Sequence, residues 1–166
     1  MFTVTPSYSL LLLTKTTMKA QVNEISIKYQ GSFKISQAPK INSSVDAAEL
    51  LFKTWNKNHI GIHECFKVIL LNNANRVKGI FEVSTGGITG TLVDVRILFA
   101  VVLKSLTVSL ILAHNHPSGT LKPSEADKRI TEKIKKAGEL LDIKTLDHII
   151  LTPDGDYFSF ADKALL

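Results

Sequence analysis

Apolar residues along the chain fall into short β-rich runs and helical stripes that alternate with one another. Residues 22–29 alternate loosely, with Val22, Ile25, Ile27 and Tyr29 apolar, and predict a strand. Residues 31–43 are polar, contain Pro39 and read as a loop. Ser44 then caps a predicted helix whose inner face carries Val45, Ala48, Phe52 and Trp55 and which frays near Asn58. Residues 66–71 form an apolar run suited to a buried strand, residues 72–75 a turn, and residues 77–84 the return strand of a hairpin. Asp94 caps a second predicted helix with Val95, Leu98, Phe99, Val102 and Leu106 inward, and residues 108–113 predict another buried strand. A third helix is predicted over residues 125–141, where Ala126, Ile130, Ile134, Ala137 and Leu141 keep helical spacing. Residues 149–151 and 157–160 read as strands around the turn Pro153-Asp154-Gly155. Strands alternating with helices over 166 residues predict one α/β or α+β domain, large enough to bury a core without staples.

The first 17 residues lack periodicity, and Met18 begins a more ordinary sequence, so residues 1–17 are expected to be a tail or an upstream reading of the start, with the domain over 18–166. The run from Leu10 to Leu13 is too short to span a bilayer. It makes a poor signal peptide, since no positive residue precedes it and no small-residue cleavage site follows. A composition of 45% hydrophobic and 21% charged residues is that of a soluble globular protein. Cys65, the single cysteine, excludes an internal disulfide and a cysteine-cluster zinc site. It reads as a small buried apolar residue and fits a reducing compartment such as the cytoplasm. A net charge of +5 permits contact with nucleic acid without demanding it. Much of the excess, on Lys128, Arg129, Lys133, Lys135 and Lys136, is interleaved with Glu132 and Glu139, the pattern of a solvated helix face. Gly86, Gly87 and Gly90 mark a loop, but the spacing and Lys-Ser/Thr of a phosphate-binding loop are absent.

Chemistry concentrates at His114-Asn115-His116-Pro117-Ser118-Gly119, directly after an apolar strand. Alternate strand residues point to one side, so His114 and His116 project together, and Pro117 and Gly119 end the strand beside them. Asp127 lies one turn into the third predicted helix and can turn back toward them. Two imidazoles and a carboxylate leave a fourth tetrahedral position for water, the catalytic form of a zinc site. Ser124 and Asp127 also match a helix-capping pair, a sufficient reading of those two residues alone. The metal reading rests on the coincidence of all three ligands. The contiguous letters His-Asn-His do not indicate a nuclease, whose motif spreads those residues over a longer segment. A zinc deaminase is excluded by the missing His-X-Glu and Pro-Cys-X-X-Cys elements.

The string His114-X-His116-Pro117, followed by Ser124-X-X-Asp127, resembles the metal motif of the JAB/MPN metallopeptidases. Residues 111–119 as a whole are similar to the RadC branch of that family, as are Asn75-Arg76-Val77, Gly90-Thr91, Leu146-Asp147-His148 and Tyr157-Phe158-Ser159-Phe160. The likeness covers about residues 45–162. It implies a single JAB/MPN-like α/β domain, with a mixed β-sheet flanked by helices and a Zn2+ site at a strand end. It further implies ligands His114, His116 and Asp127, Glu64 as general base just before the strand at 66–71, and Ser124 as donor to a developing oxyanion. Composition alone would read Glu64 as a surface carboxylate. Glu82, on the neighbouring strand, is the second candidate base. His59 and His148 fall outside the metal motif and are expected to tolerate replacement. RadC proteins commonly carry an N-terminal helix-hairpin-helix region without counterpart here, so the chain reads as a short stand-alone form. The implied activity is hydrolysis of a peptide or isopeptide bond in a protein substrate. The rival class is a DNA-repair-type accessory protein with a structural or vestigial zinc site and weak, non-specific nucleic-acid contact.

Overall fold

A computed structural model of the protein describes residues 34–87 and 91–166. The tail at residues 1–17, the strand expected at 22–29, and Gly90 lie outside them. The described chain runs α1 (Ser44–Thr54), β1 (Cys65–Leu71), β2 (Val77–Thr85), α2 (Val95–Lys104), β3 (Ser109–Asn115), α3 (Glu125–Glu139), β4 (Lys144–Leu151) and β5 (Tyr157–Ser159). The five strands form one sheet in the order β2-β1-β3-β4-β5. Strand β1 is antiparallel to β2 and β3, β3 is parallel to β4, and β5 is antiparallel to β4. The sheet is therefore mixed, and α3 is the crossover that a parallel β3–β4 pair requires.

Strand β3 is central, and all seven of its residues are buried. A strand covered on both faces reads as a near-continuous apolar run, which is what residues 110–113 present. Its side chains alternate between two cores. Ile111 and Ala113 join Ala47, Leu51 and Trp55 on the α1 side. Leu110 and Leu112 join Leu98, Val102 and Ile134 on the α2/α3 side. Each fully buried Leu or Ile contributes about 1.5–3 kcal/mol of transfer free energy. Cys65 is buried in the first core, as an apolar residue would be. Among the described residues, no helix is long and apolar enough to cross a membrane.

Several local expectations shift by a residue or two. The N-cap of α1 is Ser43, which forms a capping box with Asp46, whereas the Ser44 hydroxyl donates to Asp162 Oδ2 at 2.6 Å. The buried face of α1 is consequently Ala47, Ala48 and Leu51, followed by Trp55 at the C-cap, while Val45 is exposed. Helix α2 begins at the expected Asp94 cap but ends at Lys104, leaving Leu106 exposed with φ 51°. The ends of the α3 stripe, Ala126 and Leu141, are exposed; the helix buries Ile134 as expected, with Thr131 and Gly138 beside it. Strand β3 continues beyond Ala113, so His114 and Asn115 belong to the sheet itself.

Gly138 is where α3 meets the turn into β4. A Cβ there would stand 2.6 Å from the Ile143 carbonyl oxygen, and that backbone is held by the Ile143 N–H donating to the Gly138 carbonyl at 2.9 Å. On helix propensity alone, Gly138→Ala would stabilise the protein by about 1 kcal/mol. The clash reverses the sign. We expect a net loss of about 1–3 kcal/mol in urea unfolding; a rise in stability would show that the turn is free to move.

Candidate metal centre

The alternation of β3 directs His114 to the α2/α3 side of the sheet. His116, two residues on, follows it, with its backbone N–H donating to the Leu151 carbonyl at 2.8 Å. Gly119 adopts φ 76°, a conformation glycine accepts without strain, and the chain reverses there. The reversal brings the Thr120 carbonyl to 2.6 Å from His116 Nδ1. A carbonyl only accepts, so His116 carries its proton on Nδ1 and presents a bare Nε2.

Helix α3 supplies the third group. Ser124 is its N-cap and closes a capping box with Asp127. Asp127 Oδ2 accepts from the Ser124 backbone N–H at 2.7 Å and from the Ser124 hydroxyl at 2.6 Å. Its Oδ1 lies 3.3 Å from His114 Nε2. The capping and metal readings of this pair therefore coexist, one on each carboxylate oxygen.

Among the described residues, His114, His116 and Asp127 form the one group of metal-ligating side chains whose donor atoms all fall within 4.8 Å of one another. The two Nε2 atoms are 2.9 Å apart, and His116 Nε2 is 3.8 Å from Asp127 Oδ2. Ligands at about 2.0–2.1 Å from a tetrahedral zinc stand about 3.3 Å from one another. The spacing and the chemistry of the donor set thus fit such an ion.

Glu64 lines the same cleft as the two histidines and Asp127. Its backbone is held on both sides, donating to the Gly87 carbonyl at 3.2 Å and accepting from the Gly86 N–H at 2.8 Å. Partial burial raises its pKa; His116 lowers it and Asp127 raises it, both more weakly. The segment leading to Glu64 is clamped by Asn115, whose side chain takes the other face of β3. Asn115 Oδ1 accepts from Cys65 N–H at 2.7 Å, and its amide donates to the carbonyls of Ile60 at 2.7 Å and His63 at 2.9 Å. The residue between the two histidines thus positions the candidate base.

Glu82, the second candidate, is on the wrong face. It ion-pairs with Lys67 at 3.2 Å, accepts from the Thr85 hydroxyl at 2.7 Å, and shares the α1 side with Lys67, whose ammonium sits over Trp55. It is withdrawn as a base because the sheet separates it from the histidines. The expectation for His148 also changes. This residue is fully buried, with Nε2 2.8 Å from His114 Nδ1 and Nδ1 2.6 Å from the Thr131 hydroxyl. In the sequence His148 stood out only within Leu146-Asp147-His148, and nothing local indicated that it reaches His114. Thr131 was equally detectable only as a polar residue on the inner stripe of α3. His59 is exposed and pairs with Asn56 and His63 away from the cleft.

The profile of a family described as "RadC-like JAB domain" matches residues 41–165. A UPF0758 protein of Flavobacterium johnsoniae is 48% identical over 131 residues, covering 79% of this chain and 56% of the relative. UPF0758 proteins of Porphyromonas gingivalis (44% identity; 60% of this chain, 44% of the relative) and Chlorobaculum parvum (35%; 89% and 67%) are also similar. The chain spans about half to two thirds of the length of these relatives. The names of these relatives state no activity.

Burial holds both inner histidines neutral: desolvation, the leading cause, takes His114 down to about 4 and His148 well below its ordinary value. Unfolded histidine titrates near about 6.5, so on acidification the unfolded chain gains protons first. The stability is complete above that value and is lost as pH falls from it toward the folded values. Between about pH 7 and about pH 5.5, above the carboxylate range, we expect metal-free protein to lose roughly 2–3 kcal/mol, about 1.3 per histidine. Urea midpoints across that window measure it; a flat profile would contradict the neutral, buried state.

Proposed function

The chain belongs to the RadC-like JAB domain family, and from that premise we propose that it is a zinc-dependent metallohydrolase cleaving a peptide or isopeptide bond. One observation carries the reading: two imidazoles, their Nε2 atoms 2.9 Å apart, and a carboxylate converge beside a separate carboxylate, Glu64, in one cleft of about 530 Å³. The volume is in the range of small-molecule and peptide-side-chain sites.

In this proposal His114, His116 and Asp127 hold the ion. A zinc ion held there would supply Lewis-acid chemistry, polarising a carbonyl and lowering the pKa of water to about 7. Glu64 takes the proton of the attacking water and returns it to the leaving amine, so the carboxylate ends the cycle as it began. Its raised pKa brings it nearer the pH at which such an exchange is efficient. Ser124 has two tasks. Its hydroxyl proton is engaged with Asp127 Oδ2, orienting that carboxylate. Turning the same proton toward the substrate oxygen would stabilise the oxyanion as the carbonyl is attacked. Phe66, Val93 and Ile130 give the cleft part of an apolar lining.

A role in nucleic-acid binding receives less support. Two of the α3 lysines are engaged on the helix surface, Lys128 with Glu125 at 2.7 Å and Lys136 with Glu132 at 3.1 Å. Binding to duplex DNA is expected to be weak, sequence-independent and steeply reduced by salt. Filter or fluorescence titrations in low and high salt test this, and tight binding that survives high salt would favour the accessory reading.

The enzyme reading predicts about one zinc per chain, lost in large part in His114→Ala and in Asp127→Ala. Metal analysis of purified protein decides it, and unchanged zinc in both variants would remove the ligand assignment. Glu64→Gln should keep zinc and thermal stability while hydrolysis of a peptide mixture, followed by mass spectrometry, falls about 10²–10⁴-fold. Turnover equal to the native protein would exclude Glu64 as the base; loss of zinc would recast it as a ligand or its support.

A further inference from the structure

Two of the three candidate ligands are joined behind the site by a buried chain of hydrogen bonds that runs through neither the cleft nor solvent. Thr131 Oγ1 lies 2.6 Å from the Asp127 carbonyl oxygen, one helical turn back. A carbonyl cannot donate, so the one hydroxyl proton of Thr131 goes there. The same oxygen lies 2.6 Å from His148 Nδ1, and with its proton spent it can only accept, so Nδ1 of His148 carries a hydrogen. Neutral His148 then has a bare Nε2, 2.8 Å from His114 Nδ1. His114 must donate from Nδ1, and its own bare nitrogen is Nε2, the atom that faces His116 and Asp127.

The chain has a single consistent direction: His114 Nδ1–H to His148, His148 Nδ1–H to Thr131, Thr131 O–H to the Asp127 backbone. It spans β3, β4 and α3. His148 is 0% exposed, stacked on Phe160 at 4.7 Å between ring centroids, with the edge of Phe66 at 5.5 Å, so its ring cannot turn without disturbing the core. We infer that His148, oriented by Thr131, is a positioning residue that holds His114 in the Nδ1–H tautomer and thereby presents Nε2 to the ion. The inference rests on the metal reading for its purpose, but not for its geometry. A buried imidazole offered no acceptor would be free to place its hydrogen on Nε2, which closes the ligand position.

The test separates the tautomer from the fold. In native, zinc-free protein, long-range 1H–15N spectra of labelled histidines should show His114 protonated at Nδ1. His148→Phe keeps the aromatic packing but removes the acceptor. It should abolish that signature and weaken Zn2+ binding, measured by competition with a chromophoric chelator, by about 10–100-fold. His148→Gln offers an amide oxygen to His114 and an amide N–H to Thr131, and should recover most of the affinity and the Nδ1–H form. Thr131→Val should weaken binding in the same direction, since it leaves His148 without its acceptor. Native affinity in His148→Phe, or His114 protonated at Nε2 in the native protein, would overturn the inference. If His148→Phe does not fold, the Gln and Val variants and the native tautomer decide it. Failure of the metal reading looks different: native protein would bind no zinc, while the tautomer of His114 in that same sample would still sustain or overturn the positioning role.

Discussion

The site depends on the parity of β3. A strand covered on both faces has no solvent side, so each residue must join one of two cores, and its neighbour the other. His114 goes to the α2/α3 side, Asn115 to the α1 side, and the two perform different work. Their burial would be costly if their polar atoms were unpaired. His114 Nδ1 is paired with His148 while its Nε2 faces His116 and Asp127, and Asn115 bonds the Ile60 and His63 carbonyls on the loop before β1 and the Cys65 N–H at its start. A slip of one residue would exchange the faces, removing the imidazole from the candidate site and the clamp from beside Glu64 together. The pairing of Phe66 with His114 and of Leu112 with His148 opposes such a slip, because apolar partners on both neighbouring strands would change cores as well.

The start of α3 shows how one carboxylate can cap a helix and still face the candidate site. An N-cap serine and an acidic third residue satisfy orphan backbone donors, and the helix dipole favours a negative charge there. Those demands use Oδ2 of Asp127. Its Oδ1 is left to face His114. The cap also fixes the rotamer of Asp127, so the same bonds that begin the helix hold a candidate ligand in place.

Much of this was legible in the residues. The strands at 66–71 and 77–84, the Asp94 cap and the central part of the α3 stripe follow from local periodicity and capping chemistry, and all appear within a residue or two. The errors fell at element ends, where tertiary contacts outweigh propensity. Ser44, for instance, yields the cap to Ser43 because Asp162 engages its hydroxyl from the far end of the chain. The face of Glu82 was not legible, because the hairpin register is irregular between Phe66 and Lys67 and no local signal reports that shift.

By itself the sequence determined the set of candidate ligands, since two histidines at strand spacing and a capping aspartate are local patterns with local causes. It also determined the α/β class, through alternating helical and extended periodicities. The tertiary structure alone decided which polar residues stand behind those ligands. His148 lies 34 positions from His114, Thr131 lies 17 from His148, and Asn115 lies 50 from Cys65. Contacts at such separations arise from strand order and sheet register. These are set by how two whole faces of apolar side chains pack, and no window along the chain contains that information.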